Sequence, residues 1–204
     1  MNVTTTSRYR VLGRPRRDDA YVLVDVDDDY EPVTVEAAGA ADLTPGWLVE
    51  ATLSWDDGTA RIEAWEALRK SQFYFYDGVT GMFEAARRTW EATVERGDAV
   101  GSTVTHDTDG DPAGALYVFA DQRGARDLYD EMRMGVTPIE PLVERVNEEE
   151  AAERAVFVLN PADEDFVCVY VVFQPDGLLA RTVRDTYGDA DLLGGIDAAG
   201  GFDL

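Results

Sequence analysis

The sequence predicts a mixed α/β protein of the α+β type. A small antiparallel β-barrel, OB-like or SH3-like, comes first, and an antiparallel sheet with helices follows it. Three observations carry this prediction. Short β-forming runs separated by turn residues fill the first seventy or so positions. The apolar period then changes to helical spacing after Gly78. Beyond that point helical patterns alternate with pairs of β-like runs. Hydrophobic residues make up 45% of the 204 positions, with four Trp, nine Tyr and eight Phe, which is enough apolar material for packed cores.

The barrel strands are read in order. Tyr9–Leu12 is short and apolar, and Tyr21–Val26 is richer in β-formers. Asp27-Asp28-Asp29 breaks that run, and residues 32–37 resume it with Val33 and Val35 alternating. From Gly46 to Trp55 the alternation is clear: Trp47, Val49, Ala51, Leu53 and Trp55 share one parity and are assigned to a buried face. Asp56-Asp57-Gly58 is a hairpin turn signal. Residues 60–68 follow, with Ile62 and Ala64 on one parity and Arg61, Glu63 and Trp65 on the other. Closure into a barrel would remove exposed strand edges.

Residues 71–78, with Phe73-Tyr74-Phe75-Tyr76, read as a junction. Val79, Phe83, Ala86, Trp90 and Val94 then recur at helical spacing, and Gly97 stops the helix. Strands are expected over 101–105 and 115–119, joined by a polar turn. Helices are expected over 123–134 and 139–152, the second entered through Pro138 and Pro141. Two more β-like runs, 154–159 and 166–173, precede a last short helix over 178–187. The domain reading is a barrel over 1–72, an α+β domain over 73–188 packed against it, and an acidic flexible tail over 189–204.

Charge is the outstanding compositional feature. There are 41 acidic residues and 18 basic ones, for a net charge of −23. Such a surface repels itself at low salt, and the repulsion is screened when salt is abundant. Lys70 is the single lysine, so arginine, with its more weakly hydrated planar head, supplies nearly all the positive charge. Cys168 is the single cysteine, which rules out an intrachain disulfide and fits a reducing compartment. No apolar leader or long apolar span is present, so a cytoplasmic, non-membrane location is expected.

Lysine scarcity with excess Asp and Glu resembles the proteins of salt-accumulating halophilic archaea. With segments such as Gly46-Trp47-Leu48-Val49-Glu50-Ala51 and Trp55-Asp56-Asp57-Gly58, the chain looks like a member of an uncharacterised haloarchaeal protein family. That resemblance implies archaeal provenance and halophilic adaptation, and no activity or site residue comes with it.

Candidate chemistry is sparse. His106 stands alone among the histidines, and a zinc site would need further ligands that a single cysteine does not supply. Asp107-Thr108-Asp109-Gly110-Asp111 has the oxygen density of a calcium loop without the glutamate at its twelfth position, so it reads as a solvated turn. No metal site and no cofactor is expected, and no phosphate-cradling glycine motif follows a strong strand. The local exception to the acidic field is the start of the chain. Arg8, Arg10, Arg14, Arg16 and Arg17 all precede the first acidic residue, Asp18. Set beside Tyr9, Trp65 and Tyr74 as stacking platforms, they form the candidate nucleic-acid-binding set.

The functional expectation is a noncatalytic interaction or regulatory module. Its partner is a protein or single-stranded RNA, and the barrel provides the RNA link. The alternative is a hydrolase or transferase that uses carboxylates with a divalent cation. Oligomeric state is left open.

Overall fold

The computed structural model describes residues 3–13, 20–36, 42–121, 124 and 126–188. The expected tail, 189–204, lies outside the described residues, as do Arg14, Arg16 and Arg17. The fold is α+β, with a closed five-stranded barrel followed by a second five-stranded sheet and its helices.

The barrel strands are β1 (Val3–Gly13), β2 (Ala20–Asp25), β3 (Pro32–Glu36), β4 (Trp47–Asp56) and β5 (Thr59–Lys70). They close in the order β1-β2-β3-β5-β4, with β1 paired to β4. Every pairing is antiparallel except β3 with β5, where Val35 faces Ala60 and Glu36 faces Arg61. This closure through a parallel β3/β5 pair makes the barrel OB-like rather than SH3-like.

The alternating face of β4 is where the pattern puts it. Val49, Ala51 and Leu53 are core residues with Tyr9, Val11, Tyr21, Leu23 and Val35, and Trp47 and Trp55 pack against them. β5 departs from its simple parity. The register shifts between the pairs Thr52/Ala64 and Leu53/Ile62, which leaves Glu63 as an extra residue. This bulge moves Trp65 onto the core side and turns Ala64 out to solvent.

Two compact units are formed. Among the described residues, the first comprises those within 3–74 and Asp130–Val156, and the second those within Phe75–Tyr129 and 157–188. In the first unit the barrel is accompanied by α3 (Glu140–Val146), and α2 (Leu128–Arg133) starts in one unit and ends in the other. The helix expected over 139–152 stops at Val146. Glu148, Glu149 and Glu150 come next, and three negative charges oppose the negative end of a helix dipole.

The second sheet has the order β6-β9-β10-β8-β7, with β6 (Gln72–Val79), β7 (Val100–His106), β8 (Pro112–Ala120), β9 (Ala155–Pro161) and β10 (Phe166–Val172). The expected junction is therefore a strand. Its buried residues, Phe73, Tyr76 and Val79, lie three apart, so the period-two signature is missing. Every residue of β10 is buried, and β8 lies antiparallel between β10 and β7.

Two helices line the second unit, α1 (Glu84–Glu95) and α4 (Leu178–Tyr187). Ahead of α1, Phe83 stacks on Tyr170 of β10 at 5.4 Å, and Trp90 meets Phe166 at 5.6 Å. The inward face of α1 is Ala86, Thr89 and Thr93, whereas Val94 is 54% exposed. Two facts select Thr93 over Val94. Its hydroxyl donates to the Thr89 carbonyl at 2.6 Å, so it is buried without an unmet hydrogen bond. It also sits directly over Gly101 of β7, where an added Cβ would fall 1.8 Å from the Thr93 oxygen.

Candidate functional site

The outer faces of β2 and of the last residues of β1, from Arg10 on, are covered. Val22 and Val24 point away from the barrel core yet are each only 2% exposed. A strand buried on both faces reads as a continuous apolar run, which is what Ala20-Tyr21-Val22-Leu23-Val24 is. The cover comes from the stretch around Gly135. This residue has φ +74°, and an added Cβ would lie 2.8 Å from Val24 and 3.1 Å from Leu12. Glycine is needed there both for the backbone conformation and for the close approach.

α3 is fixed to the barrel at two points one turn apart. Arg10 on β1 donates from Nε and Nη2 to both oxygens of Glu140, at 2.7 and 2.5 Å, and from Nη1 to the Gly46 carbonyl at 2.8 Å. Its guanidinium also lies 5.3 Å from the centre of the Phe73 ring. Four residues on, Glu144 accepts a 2.6 Å hydrogen bond from Tyr30 in the β2–β3 turn. Spacing of i and i+4 puts both carboxylates on one helix face. The Tyr30 phenol is pushed up to about 12, first by that bond to Glu144, then by burial and by negative charge from Glu144 and Glu140.

These facts sort the predicted contact residues. Arg10 is buried and engaged as described, and Tyr9 is in the barrel core. Arg8 is exposed and pairs with Asp27, its Nε 3.0 and 3.1 Å from the two carboxylate oxygens. That pairing raises the Arg8 guanidinium and lowers the Asp27 carboxyl. Trp65 is half-buried, and Tyr74 is half-buried with its hydroxyl donating to Gln72 Oε1 at 2.8 Å.

The barrel has two unlike ends. One carries the β2–β3 turn with Asp27, Asp28 and Asp29 and the β4–β5 hairpin with Asp56 and Asp57. At the other end β1 finishes, β4 starts and β5 finishes: the Gly46 amide donates to the Val11 carbonyl at 2.7 Å, and Trp47 pairs with Lys70. Trp47 and Trp65 are 6.0 Å apart there, and the Lys70 ammonium lies 5.0 Å over the Trp47 ring. Arg69 is next to Lys70. Burial lowers the Arg154 guanidinium, Glu150 opposes the effect, and the positive charge of Arg69 adds to it. β1 ends at Gly13 and β2 starts at Ala20 at this same end. Sequence reasoning missed Trp47 and Lys70 as partners in a cation–π contact. No local signal could have found it, because it depends on the register of β4 with β5, in which Trp47 faces Lys70.

The second unit holds a cleft of about 670 Å³ whose lining includes Asp77, Asp121, Arg126, Asp127 and Asn160. Asp77 accepts from the Asn160 side chain at 2.7 Å and from the Gly78 amide at 2.8 Å. In the turn considered for calcium, one Asp107 oxygen accepts from the amides of Asp109 and Asp111, both at 2.9 Å. The carboxylate thus closes its own turn. Among the described residues no three His, Cys, Asp or Glu side chains gather closely enough to hold a metal ion. Burial raises the Cys168 thiol strongly, away from the thiolate form that reacts. Among the described residues no helix is long and apolar enough to cross a membrane.

Residues 1–192 match the model of a family described as "Family of unknown function (DUF6663)", and the chain belongs to that family. No curated protein and no solved structure matches it.

Proposed function

We propose that this protein is a noncatalytic interaction module that binds single-stranded RNA at the cationic, aromatic end of its barrel. The contact surface is Trp47, Trp65, Arg69 and Lys70, together with Arg14, Arg16 and Arg17 of the β1–β2 connection. The observation that carries the reading is the grouping of a tryptophan pair with the single lysine, at the end where that arginine-bearing connection departs. OB-like barrels bind oligonucleotides through strand faces and through loops that include the β1–β2 connection. Here the outer face of β2 is covered and the β4–β5 hairpin carries Asp56 and Asp57, which favours the end where β1 finishes and β2 starts.

The ionic setting fits the same reading. We take the protein to work in the cytoplasm of a halophilic archaeon. At molar salt the phosphate contribution to binding is weak, so stacking on tryptophan and arginine must supply much of the affinity.

The test is binding of a labelled single-stranded RNA pool, followed by fluorescence anisotropy across a potassium chloride series. Saturable binding is expected to persist into the molar range. It should weaken on Lys70→Glu and on joint replacement of Arg14, Arg16 and Arg17 by serine. No binding by a protein that circular dichroism reports as folded overturns the proposal. A competing reading, carboxylate-dependent hydrolysis or group transfer with a divalent cation, draws on the cleft lined by Asp77, Asp121 and Asp127. Calorimetric titration with magnesium or manganese separates the two. Heat that is lost in an Asp77→Asn, Asp127→Asn double variant, with no RNA binding, favours the cleft.

A further inference from the structure

The free edge of β7 differs from the rest of this surface. In a chain of net charge −23, the seven residues from Ala99 to Thr105 carry no charge at all. β7 is the last strand of its sheet among the described residues, and Val100 and Val104 are 52% and 50% exposed. Natural sheets protect their edges with lysine, proline, charge or a bulge. Here the one such device is an irregularity at the far end, between Thr105 and His106.

The hydrogen-bond phase of the ladder identifies the open groups. The Ala120 amide donates to the Ala99 carbonyl at 2.8 Å. In an antiparallel ladder bonded and non-bonded pairs alternate. Ala99, Gly101, Thr103 and Thr105 therefore direct their backbone groups to β8. Val100, Ser102 and Val104 direct theirs outward. The same three side chains lie on the sheet face away from α1, because Gly101 contacts Thr93 and Thr105 bonds to Tyr170.

We propose that β7 is a self-association edge, which pairs antiparallel with β7 of a second copy about a two-fold axis at Ser102. In that register the outward groups of Ser102 meet those of Ser102 in the other copy, and Val100 meets Val104. The exposed valines then form one apolar cluster across the junction. Asp98 of one copy faces His106 of the other, so no like charges are opposed along the ladder. A second copy fits this edge because a self-complementary neutral strand is the part of so acidic a molecule that two copies can bring together. The wider charge still repels, so association strengthens as salt rises.

Sedimentation velocity of the full chain from 0.1 to 3 M potassium chloride is the test, paired with amide hydrogen exchange. A monomer–dimer equilibrium that shifts toward dimer with salt is expected. Ser102→Asp, at an exposed position, opposes two carboxylates on the axis and should raise the dimer dissociation constant roughly tenfold or more. Ser102→Cys should form an intermolecular disulfide on mild oxidation, since bonded antiparallel pairs lie about 5.5 Å apart between Cα atoms. Protection of the Val100, Ser102 and Val104 amides should rise with protein concentration. A monomer at every salt concentration overturns the proposal. So does a dimer that Ser102→Asp leaves unchanged, or amide protection independent of concentration, which would mark an occupant from within the chain.

Discussion

Arg8 and Arg10 stand two residues apart on the same outer face of β1, and each pairs with a carboxylate. Their surroundings make the two pairs different devices. The Arg8 and Asp27 side chains are 50% and 40% exposed, and those of Arg10 and Glu140 are 2% and 5% exposed. Water already solvates the first pair, so its attraction is screened and its net worth is small. The second pair has lost its water. Its charges are tolerable only because the guanidinium meets both carboxylate oxygens, a backbone carbonyl and an aromatic face. A basic stretch in a sequence can therefore mix surface charge with structural charge.

The largest expected effect comes from breaking the buried pair. Glu140→Ala leaves a buried guanidinium without its carboxylate and should cost about 3–5 kcal/mol of unfolding free energy. Urea denaturation at fixed salt measures this, and a loss as small as that of a surface pair would mean that burial does not set the Arg10–Glu140 pair apart from Arg8–Asp27. The double change Arg10→Met with Glu140→Leu sharpens it. Replacing both charges by apolar groups of similar size should recover most of the loss, because the cost lies in the orphaned charge and not in the absence of the pair.

A mid-sized effect is expected at the second anchor of α3. The folded phenol of Tyr30 titrates near 12, above the ordinary value of about 10 in an unfolded chain. Stability from this bond is complete below pH about 10 and is lost as pH rises from about 10 to about 12. Tyr30→Phe should flatten that part of the stability–pH curve. Other tyrosines raised by burial, such as Tyr9, contribute equally to both proteins and cancel in the comparison. Identical slopes between pH 9 and 12 would mean that Tyr30 is not bonded to Glu144 in solution.

The sequence was most legible where one residue reports one environment. The parity of β4, the DDG hairpin and the β-pair, helix order of the second half all follow local rules, and α4 has the bounds expected of it. It was least legible where the partner is distant. Nothing near Arg10 announces Glu140, which is 130 positions away. Arg10 therefore looked like its neighbours Arg8 and Arg14. A weaker signal did exist in β2, because five apolar residues in a row do not suit a barrel strand with one solvent face. The bulge at Glu63 reversed the parity of Trp65, and a one-residue insertion leaves no mark in composition. Of the candidate site, the run of arginines and Trp65 are readings of the sequence, whereas the pairing of Trp47 with Lys70 depends on the register of β4 with β5.

The smallest expected effect completes the contrast. Arg8→Ala removes a pair exposed on both sides, so it should cost about 0.2–1 kcal/mol, and less as salt rises. Its pH signature has the opposite sense to that of Tyr30. The bond from Arg8 holds the Asp27 carboxyl below its ordinary value, so the pair contributes above the unfolded carboxylate value of about 3.9 and fades as pH falls through the lower folded value. Denaturation of Arg8→Ala and the parent at low and molar salt, at pH 7 and at pH 3, tests both statements. A loss at pH 7 that persists undiminished in molar salt would show that Arg8 is held by more than a screened surface pair. The two arginines of β1 would then differ in degree only.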